Sequence, residues 1–420
     1  MIRRLVFACA ALLGCAVVIA ATAGVVAAAP ADRPGKSAPK SKPQSSPITT
    51  PIVFYAAKGQ ADACGPGCSE WIAAEGQFDL GAPQRLRAFL ARLGGRKLPI
   101  FFQSSGGLQE QAVVIGRLLR EREMTAGVSR TIPAGCVGAS EAACRALKQS
   151  GQKLDAELHS VASCNSACVY ALVGGKVRQV PPGARLGVHS GKLIQVRSDG
   201  RVEFISHSSS PSGDKAKFAA MNAQLQRYLR EMRMDAGLFE LAERVPHEQI
   251  HYLSRDEIAR FGIDPREFQE SRWSAMELRP QPFLIFKFVV EAKGAGRKEF
   301  RTSVIQVACA GSGRALTGYL RGLGSDETGA TRSIRFALDG RSLVFGQKPS
   351  ISKIDAFDTG GSFDTRFAYG PLAFFEAAAA RGSIDVIESD PTDPATPPRT
   401  TKLSTDGLPE ALAELQRTCR

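Results

Sequence analysis

The sequence predicts an α/β domain followed by a separate, mostly-β domain, and three observations carry that prediction. From Ile52 to about Pro265, short apolar runs alternate with amphipathic stretches of helical period, the signature of strands connected by crossover helices. Beyond Pro280 the helical period fades and apolar arms around turn residues replace it. Upstream of both, residues 32–51 are rich in Pro, Ser and Lys and show no apolar period, as in a flexible tether. The boundaries expected are therefore 1–31, 32–51, 52–270 for the α/β domain and 280–420 for the mostly-β domain.

Each element has its own justification, taken in order. Arg3 and Arg4 precede an apolar run from Leu5 to Val26, and Ala29-Pro30-Ala31 supplies small residues for cleavage, so residues 1–31 read as a secretory signal. An apolar run of ~20 residues also suffices to span a bilayer, which leaves an N-terminal membrane anchor as the alternative. "IVFYA" (52–56) and "KLPIFFQ" (97–103) read as buried strands. Between them, "PQRLRAFLARL" (83–93) places Leu86, Phe89, Leu90 and Leu93 on one helical face.

"LQEQAVVIGRLLREREM" (108–124) does the same with Leu108, Ala112, Ile115, Leu118 and Leu119. "TAGVS" (125–129) and "ELHSVA" (157–162) are further strands, and residues 191–206 alternate around Asp199-Gly200 as a hairpin. A long helix is expected over Lys215–Met234. The stretch 254–264 opens with Ser254 and Glu257 in capping-box spacing and closes at Gly262. In the last domain, 283–311 and 331–347 read as hairpins, 383–388 as a strand and 407–419 as a closing helix.

The net charge of +13 raises the question of nucleic acid, but Lys and Arg are scattered and aromatic residues make up only 7% of the chain, so a nucleic-acid partner is not expected. Of the ten cysteines, Cys9 and Cys15 fall within the leader. The remaining eight form an even set, which in an exported chain favours disulfides over metal thiolates. The simplest pairing joins Cys64 to Cys68, Cys136 to Cys144, Cys164 to Cys168 and Cys309 to Cys419. Neither CxxxC pair has a His pair at ligand spacing, so no metal site is expected. No cofactor is implied.

Three stretches of the α/β domain carry the groups that acyl transfer needs. Ser105-Gly106-Gly107 lies between a strand and a helix start, where bare backbone amides can face an oxyanion. Ser166 heads the apolar segment "ACVYALVGG", and His189 ends the strand "ARLGVH". A serine hydroxyl becomes nucleophilic only when a neighbouring imidazole takes its proton. Each feature also has a plain structural reading: a Gly-Gly turn, a helix N-cap and a structural histidine. Cys164 or Cys168 as a thiol nucleophile is a further alternative.

The stretches "FFQSSGGLQEQAVVIGRLL", "SCNSACVYALVGGKVRQVPPGARLGVHSG" and "HYLSRDEIARFGID" together resemble the ClpP/crotonase superfamily, and more narrowly its exported ClpP-like serine peptidase relatives. The resemblance runs in the same order over roughly residues 98–264. It implies a ββα spiral core, Ser166 as nucleophile, His189 as base, and the amides of Gly106 or Gly107 and of Ala167 as oxyanion hole. It also implies a peptide or protein substrate bound along the 191–206 hairpin by strand addition, and a homo-oligomer as a possible assembly.

The aspartate that completes the ClpP triad falls at Ile250 in this chain, so no acid is aligned. Glu248, Asp235 and Asp256 are the candidates for a third member, and Lys215 or Lys217 for a Ser–Lys alternative. The expectation is an exported, periplasmic or membrane-anchored serine hydrolase, with a non-catalytic envelope binding protein as its rival. An acyl-CoA-type crotonase relative is the weakest of the readings.

Overall fold

Short β-branched and aromatic runs build a seven-stranded sheet in the first half of the chain. The computed structural model describes residues 49–418 apart from 197, 199–201, 206–210, 277–283, 294–298, 312, 324–331, 347–349, 354–361 and 394. The leader, most of the tether, the Asp199-Gly200 turn and Cys419 lie outside the described residues.

Strands β1 (Val53–Lys58) and β2 (Glu70–Glu75) pair antiparallel, and the Cys64–Cys68 disulfide closes the loop between them. Helix α1 (Ala82–Arg92) buries Leu86, Phe89 and Leu90, the stripe expected from its period. It leads to β3 (Ile100–Gln103), parallel to β2. Helix α2 (Gln109–Glu121) buries Ala112, Ile115, Leu118 and Leu119 and returns the chain to β4 (Thr125–Val128), parallel to β3.

Next come β5 (Arg130–Pro133), α3 (Glu141–Gln149) and β6 (Leu154–His159), with Cys136–Cys144 bonded beneath them. A second sheet then starts at β7 (Ser163–Asn165), followed by the wholly buried α4 (Ala167–Val173). Strand β8 (Val177–Gln179) rejoins the first sheet, whose order is β5-β6-β1-β2-β3-β4-β8. Strand β9 (Arg185–Val188) lies parallel to β7. The hairpin of β10 (Ile194–Val196) and β11 (Val202–Phe204) pairs Ile194 with Phe204.

After α5 (Pro211–Glu231) and α6 (Gly237–Arg244), β12 (His251–Tyr252) pairs antiparallel with β9, and α7 (Arg255–Arg260) carries the expected capping box. Several expected boundaries shift: the strand expected over 97–103 begins only at Ile100, and the one expected over 52–56 runs on to Lys58. The long helix starts at Pro211, a residue preset for a first turn, and stops before Arg233, which takes φ 60. The strand expected over 157–162 starts at Leu154 and ends at His159, where Leu154 and Ala156 turn inward together.

A sheet-rich C-terminal region follows. Its strands are β13 (Phe268–Glu270), β14 (Ser274–Met276), β15 (Leu284–Ala292), β16 (Phe300–Cys309), β17 (Arg314–Gly322), β18 (Ser333–Leu338), β19 (Arg341–Val344), β20 (Ser350–Lys353) and β21 (Ser362–Pro371). Helix α8 (Ala373–Arg381), β22 (Ser383–Ser389), β23 (Arg399–Ser404) and α9 (Leu408–Thr418) complete it. One sheet runs β13-β15-β16-β17-β21-β20 with β14 beside β15, and the other runs β19-β18-β22-β23.

The two regions have separate apolar cores, one centred on α2, α4 and the first sheet, the other between the two C-terminal sheets and their helices. Buried Lys287, Arg301, Arg321 and Arg366 face Glu270, Glu291, Glu388 and Asp364 in that second interior. Such charges are tolerated in an interior only when paired.

Candidate active site

Strand β3 ends at Gln103 and the chain turns through Ser104–Gly107 into α2. Gly106 and Gly107 take φ of 111 and 130, values closed to most side chains. The turn is clamped from one side: Phe78 N–H donates to the Gly106 carbonyl at 2.8 Å, and Leu108 N–H donates to the Phe78 carbonyl at 2.7 Å. The Gly106 amide itself donates to the hydroxyl of buried Ser104 at 3.1 Å, so it is already engaged. Gly107 faces the adjacent cleft, and among the described residues its amide has no backbone or side-chain acceptor. Of the two glycines offered for the oxyanion hole, Gly107 retains the free donor. Gly106 serves another purpose, because a Cβ there would stand 2.8 Å from Ser166 Cβ and 3.3 Å from its Oγ.

Ser166 joins β7 to α4 with φ 54 and ψ −123, outside every region an ordinary residue favours. Its N–H donates to the Gly187 carbonyl at 2.7 Å, and the Cys164–Cys168 disulfide brackets it symmetrically. A serine at a helix start ordinarily turns its oxygen onto the first-turn amides. Here the side chain makes no such bond, and Ser166 lines a cleft of about 640 Å³. The amide of Ala167, first in α4, has no partner inside the helix.

His189 follows β9, whose parallel register with β7 sets Asn165 opposite Gly187 and so brings the ends of both strands to the same place. It lines the same cleft as Ser166. Its Nδ1 lies 2.9 Å from the Ser190 carbonyl oxygen. A carbonyl only accepts, so Nδ1 carries the proton and Nε2 of the neutral ring is left as a proton acceptor. Among the described residues, no hydrogen bond joins Ser166 Oγ to the ring.

The acids offered as third member sit elsewhere. Glu248 pairs with Lys192 at the surface, and that bond holds its carboxyl below the usual range. Asp235 accepts from the Gly237 amide at 2.8 Å at the start of α6. Asp256 accepts from the Phe300 amide at 2.7 Å, at the seam with the C-terminal region, where burial raises its pKa. Ile250 stands one step beyond the His251–Val188 pair, opposite His189, and its side chain packs onto Gly187. Lys217 lines the cleft, while Lys215 lies exposed on the first turns of α5.

Sequence reasoning passed over His247 altogether. Its Nδ1 lies 3.0 Å from the same Ser190 oxygen, and its ring meets that of His189 edge to face, centroids 4.7 Å apart at 88°. The signal was present as "HEQIH", a histidine three residues ahead of Ile250.

Cys136–Cys144 and Cys164–Cys168 join Cys64–Cys68 as the three disulfides among the described residues. Cys309 is also disulfide-bonded, and Cys419, its expected partner, lies outside the described residues.

No protein-family model matches the chain, and no curated protein matches it. Among solved structures it is similar to a ClpP1 mutant from Listeria monocytogenes, at 13% identity and TM-score 0.27, over 45% of this chain and 85% of that one. It is also similar to a mutant of the membrane-bound stomatin-specific protease 1510-N, at 14% identity and TM-score 0.28, over 46% of this chain and 75% of that one.

Proposed function

We propose that this chain is an exported serine hydrolase that cleaves peptide or protein substrates through an acyl-enzyme. The observation that carries the reading is Ser166: a strained residue at a helix start whose hydroxyl makes no capping bond and lines a cleft with an imidazole. Strain of this kind persists where the surrounding structure enforces it, and it clusters at catalytic turns.

In the proposed reaction Ser166 Oγ attacks the scissile carbonyl and its proton passes to His189 Nε2. The amides of Gly107 and Ala167 receive the oxyanion. The imidazolium then protonates the leaving amine, and a water activated by the same nitrogen releases the acyl group. Strand β10 lines the cleft and pairs only with β11 among the described strands, so its other edge is open to an extended peptide. Among the described residues the cleft is lined by Lys217 and Arg227, and by Lys192 in its pair with Glu248, against Glu110, a balance that favours substrates with acidic residues. Export is part of the same reading, supported by three disulfides of a kind that persist in oxidising compartments.

A fluorophosphonate probe tests the proposal. Covalent labelling of the wild type, abolished in Ser166→Ala, is the expected result. A wild type that stays unlabelled while a control hydrolase reacts favours the second reading, a binding protein that keeps the cleft without turnover, which Ile250 in the place of an acid supports.

A further inference from the structure

A triad's carboxylate does two things for its histidine: it fixes the tautomer and ring plane, and it stabilises the imidazolium. Among the described residues no carboxylate bonds to His189, yet the ring is held. The Ser190 carbonyl accepts from Nδ1 of both His189 and His247, at 2.9 and 3.0 Å. A carbonyl oxygen has two lone pairs and satisfies both donors. The rings meet nearly perpendicular at 4.7 Å, the edge-to-face geometry aromatic pairs prefer. The strand end is itself tied down, since Ser190 N–H donates to the Val245 carbonyl at 2.9 Å.

We propose that His247 is a positioning residue for His189: through the shared Ser190 carbonyl and the ring contact, it holds the base in the tautomer and plane that a triad acid would otherwise impose. This rests on the hydrolase reading above.

The arrangement has an electrostatic consequence. Two imidazolium rings this close would repel each other. Burial lowers the proton affinity of His247; the Ser190 carbonyl works against that, and His189 and Lys192 reinforce it. Glu248 faces the pair from the exposed side, with Lys217 and Arg227 of α5 and Glu110 of α2 across the cleft.

The test is the rate at which a fluorophosphonate labels Ser166 in the full chain, followed from acid to mildly alkaline pH. It compares wild type, His247→Phe and His247→Asn, with Ser166→Ala and His189→Ala as controls. Phenylalanine keeps a ring but no donor, and the alkaline plateau is expected to fall on the order of tenfold to a hundredfold as the base loses its plane. Asparagine places a non-titrating N–H near the position of Nδ1, and its plateau is expected to return to within a few-fold of wild type.

Superimposable plateaus in all three proteins overturn the proposal, as does an equal plateau loss in both variants. Labelling that needs Ser166 and His189 but ignores His247 overturns this inference alone. An unlabelled wild type, or labelling that survives Ser166→Ala, overturns the hydrolase reading and this inference with it.

Discussion

At Ser166 a residue with a side chain occupies φ 54, ψ −123, a conformation that costs about 1–3 kcal/mol and must be imposed by its neighbours. Gly106 is one of those neighbours. Replacing it with alanine adds a Cβ 2.8 Å from Ser166 Cβ, and it does so at φ 111, where an L-side chain is itself strained. The backbone on either side is hydrogen-bonded, so the serine is the group that has to give. Gly106→Ala is therefore expected to slow fluorophosphonate labelling by on the order of a hundredfold while leaving a folded protein with a lowered melting temperature; labelling at the wild-type rate would show that the Gly106–Ser166 contact does not set the nucleophile's position. Why the sequence singles out Ser166 and His189 as candidates and passes over His247 follows from the same scale. The first two sit at strand ends, a pattern visible in one dimension, whereas His247 meets a backbone carbonyl fifty-odd positions away, and no side-chain pattern announces a carbonyl.

Strand β7 and helix α4 form the element that carries Ser166, the proposed nucleophile, and the Cys164–Cys168 disulfide ties one to the other across it. Both cysteines are fully buried, so the bond is part of the packed elbow rather than a surface clip. Closing so short a loop stabilises the fold by about 2 kcal/mol on chain-entropy grounds. The double variant Cys164→Ala/Cys168→Ala is thus expected to unfold at a modestly lower denaturant concentration but to lose most of its labelling rate, since β7 and α4 no longer fix the turn; a variant that labels as fast as wild type would assign the bond to stability alone. Elements with a clear period were legible in the sequence: α1, α2, the β15–β16 and β18–β19 hairpins and α9 stand where their apolar spacing puts them. Helix α8 was not, because "AFFEAAAAR" buries Phe374, Phe375 and Ala378 amid further alanines, and a run of small apolar residues has little periodic contrast. Strand β5 escaped for the opposite reason, since at four residues it is too short to show alternation.

Across the whole molecule, burial of charge ties stability to pH, and Asp264 is the clearest case. It is fully buried just after α7, where its carboxylate accepts from the Val180 amide at 2.8 Å and from Arg266 at 2.6 Å, with Arg255 at 3.5 Å. These bonds tie β8's end and α7 to the segment entering the C-terminal region. Burial alone would raise the pKa of this carboxyl, but the Arg266 bond and the charges of Arg255 and Arg266 overcome it and hold the group below its ordinary range. A depressed native pKa stabilises the fold fully above the unfolded value of about 3.9, and that contribution drains as pH falls through the native value. Asp264→Asn leaves Arg255, itself largely buried, without its counter-ion, and at neutral pH the expected loss is about 3–5 kcal/mol. Denaturant titrations of the two proteins over a descending pH series decide the matter. The gap should be widest near neutrality and narrow in acid, where the wild type also carries a neutral group at this position. A gap that stays constant across the series would mean that the charge on Asp264 contributes nothing and that only the shape of the side chain matters there.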